Sequence, residues 1–200
     1  MYKLTEAFKA ENADKVLYLS ANLGHYISDA HVPLHATENY NGQLTNQRGI
    51  HGFWESRLPE LFSDKWNFFV GRAYYIDKVN KATWKIVEES YAAKDSVLKF
   101  ESDLNNTWET DKKYVIEKGK KVYSAEYAAE YNRLLNGMVE RRMRVSILAV
   151  GSFWYTAWVN AGQPDLNRLM DKQVADSLKA SQRELKKMLK KGKEPKGHDE

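Results

Sequence analysis

The sequence predicts an all-α protein, and three observations support this fold class. Apolar residues recur at spacings of three and four along several long segments, as in helices that turn one face to a core. No segment sustains the alternation of apolar and polar residues that marks a half-buried strand. Six Trp, twelve Tyr and seven Phe supply bulky side chains for that core. We therefore expect one helical domain over residues 1–180, a multi-helix assembly with one long loop.

The first fifty residues are predicted to hold two helices and the long loop. Residues 2–10 have the pattern of a short amphipathic helix, and Asp14 is a candidate cap for the next one. Because Pro33 disfavours a helical conformation in the residue before it, the second helix should end near Ala30. Residues 33–50 are rich in Asn, Gly, Gln and Thr, which predicts a loop.

The middle of the chain is predicted to return to helix twice. A helix should resume near Ile50, with a kink or break at Pro59. Residues 73–100 form a second helical stretch, whereas the polar residues 104–119 give no clear indication of secondary structure.

The longest periodic segment spans residues 122–160 and is predicted to be one continuous helix. Its apolar stripe consists of Leu135, Val139, Met143, Ile147, Val150, Trp154 and Trp158. Gly162 and Pro164 are typical of a helix end. A last helix is expected over about 171–190.

The charge of the chain is mild and is concentrated at its end. The net charge is +4, and residues 181–200 hold seven Lys and Arg against four acidic residues. The body therefore has no charge excess that predicts a nucleic-acid-binding face, and the basic segment 181–200 is expected to be a solvated, disordered tail. The absence of cysteine excludes disulfides and thiolate metal sites. No apolar run is long enough for a transmembrane helix, and the start of the chain does not resemble a signal peptide.

Four of the five histidines fall between residues 25 and 51, and this cluster carries the chemistry. Two His–carboxylate pairs, each four residues apart, are predicted on helices, where this spacing places both side chains on one face. His35 lies on the loop side of Pro33, free to turn toward either pair. The candidate ligands are His25, Asp29, His35, His51 and Glu55.

Nitrogen and oxygen ligands without thiolates suit a catalytic zinc ion. His35, His51 and Glu55 would form a site with one open position, and His25 with Asp29 a partial site for a second ion. The alternative is a polar cluster held together by hydrogen bonds inside the helical core.

The loop between the two pairs contains candidate substrate contacts. It should overhang the metal ligands, so the side chains of Asn39, Tyr40 and Asn41 are placed to touch a substrate. A polar connector made of turn-forming residues explains the same composition equally well.

The stretch GHYISDAHVPLH, followed by HGFWE, resembles the signature of the zinc-dependent phospholipase C and S1/P1 nuclease superfamily. The surrounding sequence up to about residue 170 is most similar to bacterial members. The resemblance implies an all-α enzyme with up to three zinc ions that hydrolyses phosphodiester bonds through a metal-bound hydroxide. Its substrate would be a nucleic acid or a phospholipid, and intact relatives are expected to be exported.

Position by position, the resemblance implies that His25 and Asp29 bind one zinc ion and that His35, His51 and Glu55 complete a second. Asp29 would also bridge toward the third ion, which makes it the catalytic candidate. Glu55 is more like the phospholipase branch, since the nuclease branch often has Asp there.

His31 lies inside the motif but is not a ligand in the family. We interpret it as a hydrogen-bond partner beside the ligands, with metal binding by His31 as the alternative. The family's remaining ligands lie upstream of the matching stretch. The chain is therefore expected to be the C-terminal portion of such an enzyme, with one full and one partial zinc site.

Two other functions fit the same sequence. The first is a non-catalytic helical domain with a structural or vestigial zinc site, which would lose thermal stability when zinc is removed. The second is a nucleic-acid-binding module driven by residues 181–200, whose affinity would fall steeply with salt and survive chelation of metal. The oligomeric state is left open by the sequence.

Overall fold

A computed structural model describes residues 1–169 of the chain and is mostly helical, which confirms the predicted all-α class. The predicted helix over 171–190 and the basic tail 181–200 lie outside the described residues. None of the described helices is long and apolar enough to cross a lipid bilayer. The α-helices are α1 (Tyr2–Lys9), α2 (Ala13–Ala30), α3 (Ile50–Gly52), α4 (Leu58–Phe62), α5 (Val79–Thr107), α6 (Ala125–Leu134) and α7 (Met138–Asn160).

The chain divides into two compact units. One consists, among the described residues, of Met1–Ala21 and residues 157–169, and in it Leu4, Ala7 and Phe8 of α1 are buried. The other is Asn22–Thr156, which contains all five candidate metal ligands. The boundaries fall within α2 and within α7.

The ends of α2 follow from local side-chain chemistry. Asn12, rather than the predicted Asp14, caps the helix: its Oδ1 accepts a hydrogen bond of 2.9 Å from the backbone N–H of Lys15. At the other end Val32 is extended in front of Pro33, as the sequence predicted. The histidine-bearing end of α2 therefore stops where proline requires it.

The core of the second unit lies between the 50–62 segment, α5 and α6. Phe53 stacks on Tyr123 with ring centroids 3.7 Å apart, and the hydroxyl of Tyr131 donates a 2.8 Å hydrogen bond to the carbonyl oxygen of Val97. Both rings of the first pair and both members of the second are buried. The side chains that anchor the 50–62 segment thus belong to the buried hydrophobic core of the unit.

The prediction that no strand forms is wrong for one short segment. Strands β1 (Tyr114–Glu117) and β2 (Lys120–Tyr123) pair antiparallel in a two-stranded hairpin. Its turn residues, Lys118 and Gly119, both have positive φ, the geometry that matches the twist of a tight hairpin. Four residues per strand are too few to reveal an alternating pattern in the sequence.

The prediction of one helix over 122–160 is also wrong. Asn136 and Gly137 both adopt positive φ, which ends α6 and lets α7 begin at Met138. The predicted apolar stripe is only partly a core face, because Ile147 is 44% exposed and Trp154 is 39% exposed.

Helices α2 and α7 approach closely at Gly24. A Cβ atom added there would lie 3.3 Å from the Trp154 ring and 3.4 Å from a methyl group of Val150. The absence of a side chain at this position therefore permits the close approach.

Candidate metal centre

His51 and Glu55 are brought together by an unusual helix. Helix α3 runs into a π-helical turn, Phe53–Arg57, before α4 begins. Such wide turns occur frequently at functional sites. Nε2 of His51 lies 3.0 Å from Oε2 of Glu55, so the predicted pairing of these side chains is present. Phe53 and Trp54, which belong to the turn, are buried and hold it in the core.

His35 reaches the same carboxylate from a different element. It lies on a 3₁₀ turn, Pro33–Ala36, whose Leu34 is fully buried. Its Nε2 is 3.5 Å from Oε2 of Glu55, and its ring centroid is 4.7 Å from that of His51. Ligand atoms of the three residues all lie within 4.8 Å of one another, so the trio predicted from sequence is assembled.

Two of the distances in this group are close to those expected around a zinc ion. Tetrahedral ligands that lie about 2.0–2.1 Å from zinc are roughly 3.4 Å from each other. The two contacts to Glu55, 3.0 and 3.5 Å, bracket that value. Two imidazole nitrogens and one carboxylate oxygen are also the ligand types of catalytic zinc sites. His35, His51 and Glu55 could therefore hold zinc after small side-chain adjustments.

The trio is electrostatically coupled before any metal binds. Burial by itself would raise the pKa of Glu55, but hydrogen bonds to His35 and His51 lower it to about 2. The hydrogen bond to Glu55 raises the pKa of His35 in return, against the opposing effect of burial. A metal cation would take the place of the protons that now balance this carboxylate.

The second predicted pair, His25 and Asp29, is present on α2. Nε2 of His25 lies 3.3 Å from Oδ2 of Asp29, and both side chains are partly exposed. Asp29 is close enough to His35 for its charge to contribute to the raised pKa of that histidine. The pair therefore borders the trio but supplies two ligand atoms rather than three.

His31 is buried beside the site and is only 4% exposed. Its Nδ1 donates a 2.7 Å hydrogen bond to the carbonyl oxygen of Ile27, and its own carbonyl oxygen accepts one of 2.9 Å from Nε of Arg142. Burial lowers the pKa of His31 despite the bond to Ile27, and the charge of Arg142 lowers it further. Its hydrogen bonds join it to these groups rather than to a candidate ligand.

A cavity of about 330 Å³ adjoins the candidate ligands. Its polar wall includes Asp29, His31 and Glu55. Its apolar wall is formed by Val32, Trp54, Phe68, Met143 and Ile147. The cavity thus offers an apolar surface next to two carboxylates, and the sequence alone did not indicate it.

The loop after His35 is held together by its own side chains. The amide of Asn39 donates to Oγ1 of Thr45 (2.9 Å) and accepts from the backbone N–H of Leu44 (2.8 Å). Oδ1 of Asn41 accepts from the N–H of Gly49 at 3.0 Å. Both amides, predicted as substrate contacts, thus take part in the loop structure. Tyr40 is 46% exposed, and its ring lies 6.0 Å from that of His51.

Arg57, which the sequence analysis did not single out, secures the π-helical turn. Its guanidinium donates hydrogen bonds to Glu117 of β1 (2.5 and 3.0 Å), to Glu60 (3.0 Å) and to the carbonyl oxygen of Tyr123 (3.1 Å). Its side chain is 8% exposed, and the bond to Glu117 chiefly raises its pKa. The hairpin thus braces the turn that carries Glu55.

Comparison of the chain with protein-family models, with curated proteins and with solved structures gave no match.

Proposed function

We propose that this chain provides the metal centre of a zinc-dependent phosphodiester hydrolase, of the phospholipase C and S1/P1 nuclease type that its histidine signature resembles. The nuclease-like arrangement of the helices is part of this proposal. The supporting observation is that ligand atoms of His35, His51 and Glu55 lie within 4.8 Å of one another. They come from two segments of the chain, so the grouping is not a consequence of helix periodicity alone.

Zinc in this centre would polarise a phosphoryl oxygen and lower the pKa of a bound water molecule. The protein side chains have separate tasks. His35, His51 and Glu55 would hold one ion, while His25 and Asp29 would begin a second site. Asp29, which borders the trio, is the side chain placed to connect the two.

The carboxylates make phosphodiester binding depend on the metal. Asp29 and Glu55 both line the cavity, and the low pKa of Glu55 keeps that group negatively charged at neutral pH. Arg142 lines the same cavity, but its guanidinium is already paired with Glu89 at 3.3 Å. Cations bound by the two carboxylates would therefore favour the binding of a phosphate group. With cations bound, the apolar wall can receive the organic group of the ester, and the exposed ring of Tyr40 can contact it from the side of His51.

Hydrolysis of bis(p-nitrophenyl) phosphate by the zinc-loaded chain tests this proposal. The same chain should be assayed after chelation, on single-stranded DNA and on phosphatidylcholine vesicles. We expect zinc-dependent hydrolysis that is lost in His51→Ala and retained in His198→Ala, which removes a histidine far from the cluster in sequence. Zinc bound at full occupancy without hydrolysis of any of these substrates would contradict the enzymatic proposal. A large fall in the melting temperature on chelation would then indicate a structural zinc site.

A further inference from the structure

We infer that Glu101 and Gln47 are positioning residues for the metal centre, because together they fix the loop that joins its two histidine-bearing segments. This inference rests on the proposed metal centre. It concerns a hydrogen-bonded group outside that centre, which we call the loop clamp: Gln47, Glu101, Lys113 and Tyr127.

Glu101 is the centre of the loop clamp. It lies on α5 and is completely buried. Oε1 accepts hydrogen bonds of 2.8 Å from Nζ of Lys113 and 2.8 Å from the hydroxyl of Tyr127, while Oε2 accepts one of 2.6 Å from Nε2 of Gln47. A buried carboxylate is costly unless its oxygens are paired in this way. The three donors therefore belong to one interdependent network.

Gln47 connects that network to the loop. Its Nε2 donates to Glu101 and also to the carbonyl oxygen of Leu98 at 2.8 Å, so both amide hydrogens are directed to α5. Its backbone N–H donates to the carbonyl oxygen of Gly42 (2.8 Å), and its own carbonyl accepts from the N–H of Ile50 (3.1 Å). One side chain thus fixes the middle of the loop and the residue before His51.

The loop is built to keep this arrangement. Gly42 has a φ of +72°, and a Cβ atom there would collide with the backbone carbonyl of Gln47. Asn39 and Asn41 add the internal hydrogen bonds described above. The loop is therefore braced by its own contacts, and the loop clamp attaches it to α5.

Helix α5 is also the support of the other histidine. The 3₁₀ turn Pro33–Ala36, which carries His35, packs directly on this helix. Both histidine-bearing segments are thus held on α5: the 3₁₀ turn by direct packing, and the segment before His51 by the hydrogen bonds of Gln47. Metal coordination tolerates distance errors of only about 0.2 Å, so loss of either attachment to α5 should reduce the affinity for zinc. Outer partners of metal ligands typically contribute about tenfold to hundredfold in affinity.

The test compares Gln47→Leu with Tyr131→Phe in the full chain. Gln47→Leu keeps the approximate size of the side chain and removes both donors to α5. Tyr131→Phe is the matched control, because it also removes a buried hydrogen bond to a carbonyl of α5 but leaves the loop untouched. Zinc affinity is measured by competition with a chromogenic chelator, and the melting temperature is measured without metal. Amide hydrogen exchange of residues 39–50 gives a readout of the loop that needs no metal.

We expect Gln47→Leu to weaken zinc binding by about tenfold to a hundredfold and to speed exchange across residues 39–50. Tyr131→Phe should lower the melting temperature similarly, with less than about a threefold change in affinity. If Gln47→Leu proves too unstable to purify, Glu101→Gln replaces it, because this change keeps the shape of the side chain. The loss of zinc affinity in Glu101→Gln should lie between the losses expected for Gln47→Leu and Tyr131→Phe.

Equal zinc affinities in wild type and Gln47→Leu would overturn the inference, as would equal losses in both variants. If wild type bound no zinc, the proposed function would fail by itself. Hydrogen exchange would then still decide the loop clamp: unchanged protection of residues 39–50 in Gln47→Leu would overturn it as well.

Discussion

Zinc should stabilise the chain through three residues and not through all five candidate ligands. At a free zinc concentration one hundred times the dissociation constant, binding to the folded state alone adds about 2.7 kcal/mol. For a protein of 150–250 residues, each kcal/mol raises the melting temperature by about 2–4 °C. The expected shift for wild type is therefore about 5–11 °C. His51→Ala removes one of only three ligand atoms in the group, so its shift should vanish.

His25→Ala is the matched comparison in this experiment. The His25 side chain is 42% exposed, and His25 is not a member of the trio, so this variant should retain most of the zinc-induced shift. The assay is a thermal melt with and without zinc, combined with elemental analysis of zinc per chain. We expect one tightly bound zinc in wild type and in His25→Ala, and none in His51→Ala. Equal loss in the two variants, or no shift in wild type, would refute the assignment of the trio as the complete site.

Three further predictions concern pH and stability. Glu55 raises the pKa of His35 above its usual value of 6.5. Protonated His35 therefore stabilises the metal-free fold below pH 6.5, and this contribution is lost as the pH rises through the raised pKa. Because zinc must displace this proton, zinc affinity measured by calorimetry should increase from pH 6 to pH 8. The pKa of Glu55 is lowered from 4.5 to about 2, so its contribution is present above 4.5 and lost toward pH 2; Glu55→Gln should therefore lose less stability than wild type between pH 5 and pH 3 in urea unfolding. Arg57→Met should destabilise the chain by about 1–3 kcal/mol in the same assay, because the guanidinium is buried while its carboxylate partners are partly exposed. A loss below about 0.5 kcal/mol would contradict the bracing role of the hairpin.

The sequence predicted those parts of the site that depend on local spacing. His25 with Asp29, and His51 with Glu55, are each four residues apart, and this spacing predicted that each pair would meet. The second pair does so across a π-helical turn that the spacing did not predict. Pro33 correctly marked the end of α2. The approach of His35 to Glu55 required the tertiary fold, although the presence of a third histidine near both pairs already suggested it.

The missed features depend on contacts between distant residues or on very short patterns. Gln47 and Glu101 are separated by 54 positions, and nothing near either residue predicts their contact. One signal was available: Glu101 lies between Val97 and Leu104 on the buried face of α5, where a charged residue requires partners. The β1–β2 hairpin and the break between α6 and α7 at Asn136–Gly137 were missed, because each depends on the conformation of only a few residues.

The π-helical turn Phe53–Arg57 also changes the directions in which side chains before and after it point. In an α-helix each residue advances about 100° around the axis, so one extra residue in a turn rotates everything before it relative to everything after it. His51 precedes this turn and faces the other two candidate ligands, whereas Leu58 follows it and is fully buried in the core. Deleting one residue within 53–57 would restore a regular helix and force a choice between these two orientations. The wide turn thus lets His51 face the other two candidate ligands while Leu58, seven residues later, faces the core.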